Sequence, residues 1–230
     1  MLGDIMEKEY YKAYEKRYKQ LHENNLSWET DVKTNIIEDT IIKYNIDKAA
    51  SILEIWCGEG RDAKYLLGKN YNVLATDVSK EAINYCKKID KEHSNNYEVL
   101  DVLDYDDFSK KFDFIYSVAC LHMLVLDEDR NKYFEFINNH LNDNGYALVL
   151  TMGDGKTERS SDITKAWEDV ERIHQESGIK MNVATTSCRI VNFETLTKEV
   201  ELQNLKIIEQ GITSIIPNFP EIMYAVIKKN

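Results

Sequence analysis

The residues of this chain best suited to chemistry are a glycine turn and the carboxylates around it. In Ser51-Ile-Leu-Glu-Ile-Trp-Cys-Gly-Glu-Gly-Arg-Asp-Ala63, an apolar run (Ile52, Leu53, Ile55) leads into a tight Gly58-Glu59-Gly60 turn. Helical sequence follows, and a second apolar run from Tyr71 to Thr76 stops at Asp77. A strand, a glycine turn at a helix N-terminus and an acid ending the next strand suit a nucleoside. Backbone N–H groups face its polar atoms, and the carboxylate takes the ribose hydroxyls. On the loop alone the ligand stays open. Gly58-x-Gly60-x-x-Ala63 satisfies the dinucleotide pattern, and Asp77 suits the ribose of NAD. Glu54 occupies an acidic position that dinucleotide folds do not need. Asp101, in Val99-Leu-Asp-Val-Leu103, is an acceptor suited to an adenine amino group.

The elements that must position these groups follow from periodicity. Strands are expected at 51–55, 72–76, 97–100, 113–117 and 145–151, with helices at 60–69, 79–91 and 127–142. Ser79 reads as an N-cap, and Asp143-Asn144-Gly145 reads as a turn with glycine at positive φ. Short apolar strands alternating with helices imply a parallel, doubly wound α/β sheet. The tail breaks that rhythm. A helix at 161–176, the segment Arg189–Phe193 and a helix at 193–203 precede strands at 205–211 and 222–228. A Pro217/Pro220 loop too short for a helix joins those strands, so they are expected to pair antiparallel. Residues 4–22 and 31–44 read as helices of an N-terminal cap (1–45) on the main domain (46–230), with Tyr10, Tyr11, Tyr14, Tyr18 and Leu21 at helical spacing.

Glu54-x-x-x-Gly58-x-Gly60, Asp77-Val78-Ser79, Asp101-Val-Leu and Phe112-Asp-Phe-Ile-Tyr-Ser117 occur in an order and spacing that resembles the class I S-adenosylmethionine-dependent methyltransferases. The likeness is good over 50–152 and loose in the tail. It implies a Rossmann-like seven-stranded sheet of order 3-2-1-4-5-7-6 with strand seven antiparallel, and S-adenosyl-L-methionine as cofactor. By position it also implies that the 58–60 turn (Gly58, Gly60) lies beside the methionine moiety, that Asp77 pairs with the ribose diol, that Asp101 and the Val102 backbone meet the adenine, and that Ser117 and Val118 line the methionine side. Arg61 would offer a charge or its N–H to the cofactor carboxylate, and Glu54, Trp56, Cys57 and Val78 complete the cofactor-binding set.

Methyl transfer is an in-line displacement that needs positioning more than side-chain chemistry, so a base matters only if the acceptor loses a proton. His122, just past strand four, is the histidine placed for that role; its alternative is a structural or cofactor contact. Tyr14, Tyr18 and Trp28 are either core aromatics or a lid, since aromatic faces suit a sulfonium or amine. Asp154 in Thr151-Met-Gly-Asp-Gly155 would suit a cationic acceptor and Arg189 an anionic one. Trp56 stands where the family carries glycine. Its indole either blocks the cofactor, swings into a local gap, or is recruited as a ligand contact.

Composition narrows the function. The 230 residues carry a net charge of −11, which argues against a nucleic-acid partner. No apolar run reaches membrane-span length, and Met1–Tyr18 has no apolar signal core. Cys57, Cys86, Cys120 and Cys188 lack metal or disulfide spacing. The expectation is a cytoplasmic methyltransferase, monomeric or homodimeric, acting on a small-molecule acceptor. The rivals are a non-catalytic module on the same fold and an NAD-dependent oxidoreductase.

Overall fold

A computed structural model describes residues 9–28, 32–107, 109–174, 177–214 and 222–230. The central sheet contains β1 (Ile52–Ile55), β2 (Val73–Asp77), β3 (Tyr97–Val99), β4 (Phe112–Val118) and β5 (Leu141–Met152). Two short ribbons follow. β6 (Arg159–Ser160) pairs with β9 (Arg189–Ile190), and β7 (Asp169–Ile173) pairs with β8 (Lys180–Ala184). β10 (Leu205–Thr213) and β11 (Ile222–Lys229) close the sheet in the order β3-β2-β1-β4-β5-β11-β10. Counting only strands of this sheet, that is 3-2-1-4-5-7-6. β11 runs antiparallel to both neighbours, and β1 to β5 are parallel.

The helices are α1 (Ala13–Glu23), α2 (Asn35–Lys43), α3 (Arg61–Gly68), α4 (Lys80–Ile89), α5 (Asp127–His140) and α6 (Phe193–Leu202). Every residue of β1 is buried, as expected for a central strand covered on both faces. Local chemistry sets several boundaries. Ser79 Oγ accepts from Ala82 N at the start of α4, and Asn192 Oδ1 accepts from Thr195 N at the start of α6. Among the described residues no helix is long and apolar enough to cross a membrane. All four cysteines are free.

Three expectations need correction. The helix at 161–176 is absent. Asp162 instead caps a short 3-10 turn at Ile163–Lys165, and the chain then enters β7 and β8. Alternation wins over the helical period here: Met181 and Val183 are buried and pack with Leu21 of α1, while Lys180 and Asn182 face outward. Secondly, Gly145 lies within β5 rather than in a positive-φ turn. It is needed for space, because a Cβ there would sit 3.0 Å from the backbone oxygens of Asn142 and Asp113. Thirdly, the first helix begins as a 3-10 turn at Tyr10–Lys12 before α1. Residues 4–8, Asp31 and the Pro217/Pro220 loop lie outside the described residues.

Candidate functional site

At the carboxyl ends of β1, β2 and β4 lies a cavity of about 550 Å³, roofed by α1 and the β7–β8 ribbon. Such ends are where open α/β sheets bind ligands. The β1–α3 loop forms one wall, with Trp56, Gly58 and Gly60 at φ of 56°, 57° and 82°. Left-handed backbone suits glycine and costs a Cβ-bearing residue roughly 1–2 kcal/mol. A Cβ on Gly60 would lie 2.9 Å from Cys86 Sγ, so that position has neither the conformation nor the room for another residue.

Asp77 faces this loop. Its Oδ2 accepts from Gly58 N (2.8 Å) and its Oδ1 from Ser79 N (2.8 Å). Burial pushes its pKa up to about 6, partly opposed by those two N–H bonds. Each oxygen retains a lone pair for a ligand hydroxyl. Glu54 is also buried, accepts from Tyr116 Oη at 3.0 Å and lines the cavity. Burial, then the nearby Asp62 charge, raise its pKa well above the usual carboxylate range. Arg61 is occupied: its Nη2 reaches Asp62 Oδ2 and Thr34 Oγ1, each at 2.7 Å. Cys57, Val78 and Val118 complete this end of the lining.

Asp101 and Val102 do not border the cavity. Tyr11 covers that end: its hydroxyl donates to Asp101 Oδ2 (2.9 Å), and Lys12 Nζ lies 3.1 Å from the same oxygen. The Tyr11 ring stacks on the Trp56 indole, with centroids 6.1 Å apart and planes 17° apart. Trp56 is buried in the apolar cluster with Leu53, Ile55 and Val102, yet it also lines the cavity, and among the described residues its Nε1 has no hydrogen-bond partner. Ser117 is fully buried, its Oγ 2.5 Å from Tyr133 Oη.

The other predicted residues divide cleanly. Tyr14, Tyr18, Trp28 and His122 line the cavity. Tyr18 crosses the glycine turn, its hydroxyl 2.7 Å from where a Gly58 Cβ would project. His122 is buried, its Nδ1 unpartnered among the described residues, and burial plus the Arg130 charge lower its pKa to about 4. Asp154 and Arg189 stay outside the lining. Asp154 accepts from Lys156 N, Thr157 N and Thr157 Oγ1, which tightens its own loop. Arg189 pairs with Asp127 at 2.5 Å and holds the Val125 carbonyl. Sequence reading missed Tyr11, Arg17, Asp62 and Arg172. The last lies on β7, inside the stretch that reads as a helix, so its direction was not available from the pattern.

This architecture, an antiparallel strand closing a parallel sheet with a cavity at the strand ends, defines the class I methyltransferase fold. Residues 53–147 match the methyltransferase domain family. An uncharacterized methyltransferase of Schizosaccharomyces pombe is 33% identical over 87 residues, 36% of this chain and 58% of the relative. The matched stretch thus spans little more than half of that protein. A S-adenosylmethionine-dependent methyltransferase from Clostridium acetobutylicum superposes with a TM-score of 0.66 at 16% identity, covering 92% of this chain and 96% of the other. The 1,6-didemethyltoxoflavin-N1-methyltransferase of Burkholderia thailandensis, solved with bound 1,6-didemethyltoxoflavin and S-adenosylhomocysteine, gives 0.69 at 16% identity, covering 96% and 89%.

Proposed function

We propose that this chain is a cytoplasmic S-adenosyl-L-methionine-dependent methyltransferase acting on a small-molecule acceptor, as a monomer or homodimer. The observation that carries the reading is the pairing of a left-handed glycine turn with the buried carboxylates Glu54 and Asp77 around one cavity. The donor set fits the cofactor. Asp77 has lone pairs for a ribose diol, and Glu54 offers a carboxyl towards a cationic methionine end.

When bound, the cofactor supplies an electrophilic methyl on a positively charged sulfur. The chain then has to hold the acceptor in line and keep water out, which is worth up to ~7–11 kcal/mol. Tyr14, Tyr18 and Trp28 serve that end by walling the cavity and presenting aromatic faces to cationic groups. His122 is neutral at neutral pH, and its imidazole on the cavity wall is the side chain placed to take a proton from an acceptor that must lose one.

Trp56 weakens the hold on adenine in this reading. Its indole supports Tyr11, whose hydroxyl occupies the Asp101 oxygen that an adenine amino group would need. Calorimetric titration with S-adenosylhomocysteine tests the proposal, and one-to-one binding that Asp77→Ala weakens is the expected result. The Tyr11 closure also favours a second reading, a non-catalytic module on this fold. Absence of binding both in the chain and in Trp56→Gly would select that alternative.

A further inference from the structure

The cavity is acidic where β1 and β2 end and basic where α1 meets the β7–β8 ribbon. Glu54 and Asp77 belong to the first end, Arg17 and Arg172 to the second. These arginines differ from the other cations nearby. Arg61 is neutralised by Asp62 at 2.7 Å. Arg17 Nη1 meets only neutral oxygens, those of Ala184 (3.3 Å), Thr185 (3.4 Å) and the Thr186 hydroxyl (3.1 Å). Its guanidinium lies 4.9 Å from the Trp28 ring centroid, and among the described residues Nε and Nη2 make no hydrogen bond. Among the described residues neither Arg17 nor Arg172 pairs with a carboxylate.

That omission is specific, because acids outnumber Lys and Arg by 40 to 29 in the chain. The acids closest in sequence to Arg172 are turned to other cations: Asp169 holds Lys16 and Glu171 holds Lys180. Burial and then the Arg172 charge lower the pKa of Arg17, yet a guanidinium keeps its proton at neutral pH. At this end of the cavity two like charges have no carboxylate partner among the described residues, so an anionic ligand there would meet no competing acid.

We propose that the methyl acceptor carries a carboxylate held by the open edge of Arg17, with Arg172 beside it. This rests on the methyltransferase reading and names its substrate class. The planar fork of arginine suits a carboxylate bidentately. Tyr14, Trp28, Met123 and Met181 around it offer flat and adaptable apolar surface for an aromatic body. The charge separation also orients the two ligands. The cationic cofactor fits the acidic end, the anionic acceptor fits the basic end, and the two cannot exchange places without meeting like charge.

The test is calorimetry on the full chain saturated with S-adenosylhomocysteine. Benzoate, 4-hydroxybenzoate and indole-3-acetate are each compared with the corresponding primary amide, and phenyl phosphate serves as the tetrahedral anion. At least one carboxylate should bind tenfold or more tightly than its amide. Arg17→Met should abolish the preference, and Arg172→Gln, on an exposed ribbon position that leaves α1 packing untouched, should reduce it several-fold. Equal binding of acid and amide, no carboxylate binding, or a preference surviving both substitutions would overturn the proposal. So would phenyl phosphate binding more tightly than every carboxylate. Normal cofactor binding without charge preference sinks this inference alone. Failure of S-adenosylhomocysteine to bind both the chain and Trp56→Gly sinks the methyltransferase reading, and titrating the carboxylates into the chain alone then still reports on the arginine pair.

Discussion

At the β1–β2 end the cavity is shaped by a glycine turn and the carboxylates beside it, whereas at the ribbon end it is shaped by the side chains of α1, the segment after it and the β7–β8 ribbon. Gly58 and Gly60 hold left-handed conformations, and Asp77 is fixed by two N–H groups of the loops it joins. At the opposite end Arg17, Tyr14, Trp28 and Met181 project from α1, the segment after it and β8. A wall built on a glycine turn is specified by a few conformationally special residues, and it suits a ligand that stays the same across a fold. A wall of side chains on short ribbons can vary freely, and it suits the ligand that distinguishes one enzyme from another. Fold likeness therefore informs the first end, and the second must be argued from this chain alone.

The comparison breaks most sharply at Trp56, a large side chain in the glycine-turn half. Trp56→Gly should cost about 3–5 kcal/mol of stability through the lost indole, offset by roughly 1–2 kcal/mol from relieved left-handed strain. Urea unfolding reads that change. The same variant should bind S-adenosylhomocysteine at least tenfold more tightly, about 1.4 kcal/mol, because Tyr11 loses its support. Equal affinities would mean that the indole never obstructs the cofactor.

Asp77→Ala comes next. Losing a charged acceptor for two hydroxyls should weaken S-adenosylhomocysteine by about 1.5–3 kcal/mol. An unchanged dissociation constant would remove the ribose assignment. The dependence on pH sharpens it. Above about 6 Asp77 is ionised and accepts from the diol; below that it is protonated and accepts less well. Affinity should therefore fall as pH drops through about 6. This limb should vanish in Asp77→Asn and persist in His122→Phe, since His122 titrates only near 4. A limb that follows His122 instead would reassign the titrating group.

The smallest effects belong to residues outside both walls. Asp154→Ala and Arg189→Ala should leave cofactor and acceptor affinities unchanged, because neither side chain borders the cavity. A loss of acceptor affinity in either would redraw the cavity.

The glycine-turn half was largely legible in the sequence, because its signals are local. A glycine turn after an apolar strand and an acid ending the next one fix where Gly58, Gly60 and Asp77 lie. The pairing of β10 with β11 followed from the absence of a helix-length connection. The ribbon half was not legible. Residues 161–176 carry enough polar and apolar residues to imitate a helix, yet Asp169–Ile173 pairs with Lys180–Ala184, whose Met181 and Val183 pack on Leu21. The covering of Asp101 by Tyr11, 90 residues away, has no local signal at all. Asp154 and Arg189 were plausible from their loops, but their partners are neighbouring loop atoms and Asp127.

The central claim is that an adenosyl ligand lies across the carboxyl ends of β1, β2 and β4. A crystal structure with S-adenosylhomocysteine tests it most directly. The account predicts the ribose on Asp77, the adenine near Asp101, and the Tyr11 hydroxyl moved off that carboxylate. A ligand seated elsewhere, or Tyr11 still bonded to Asp101 with no adenosine in the cavity, would contradict it.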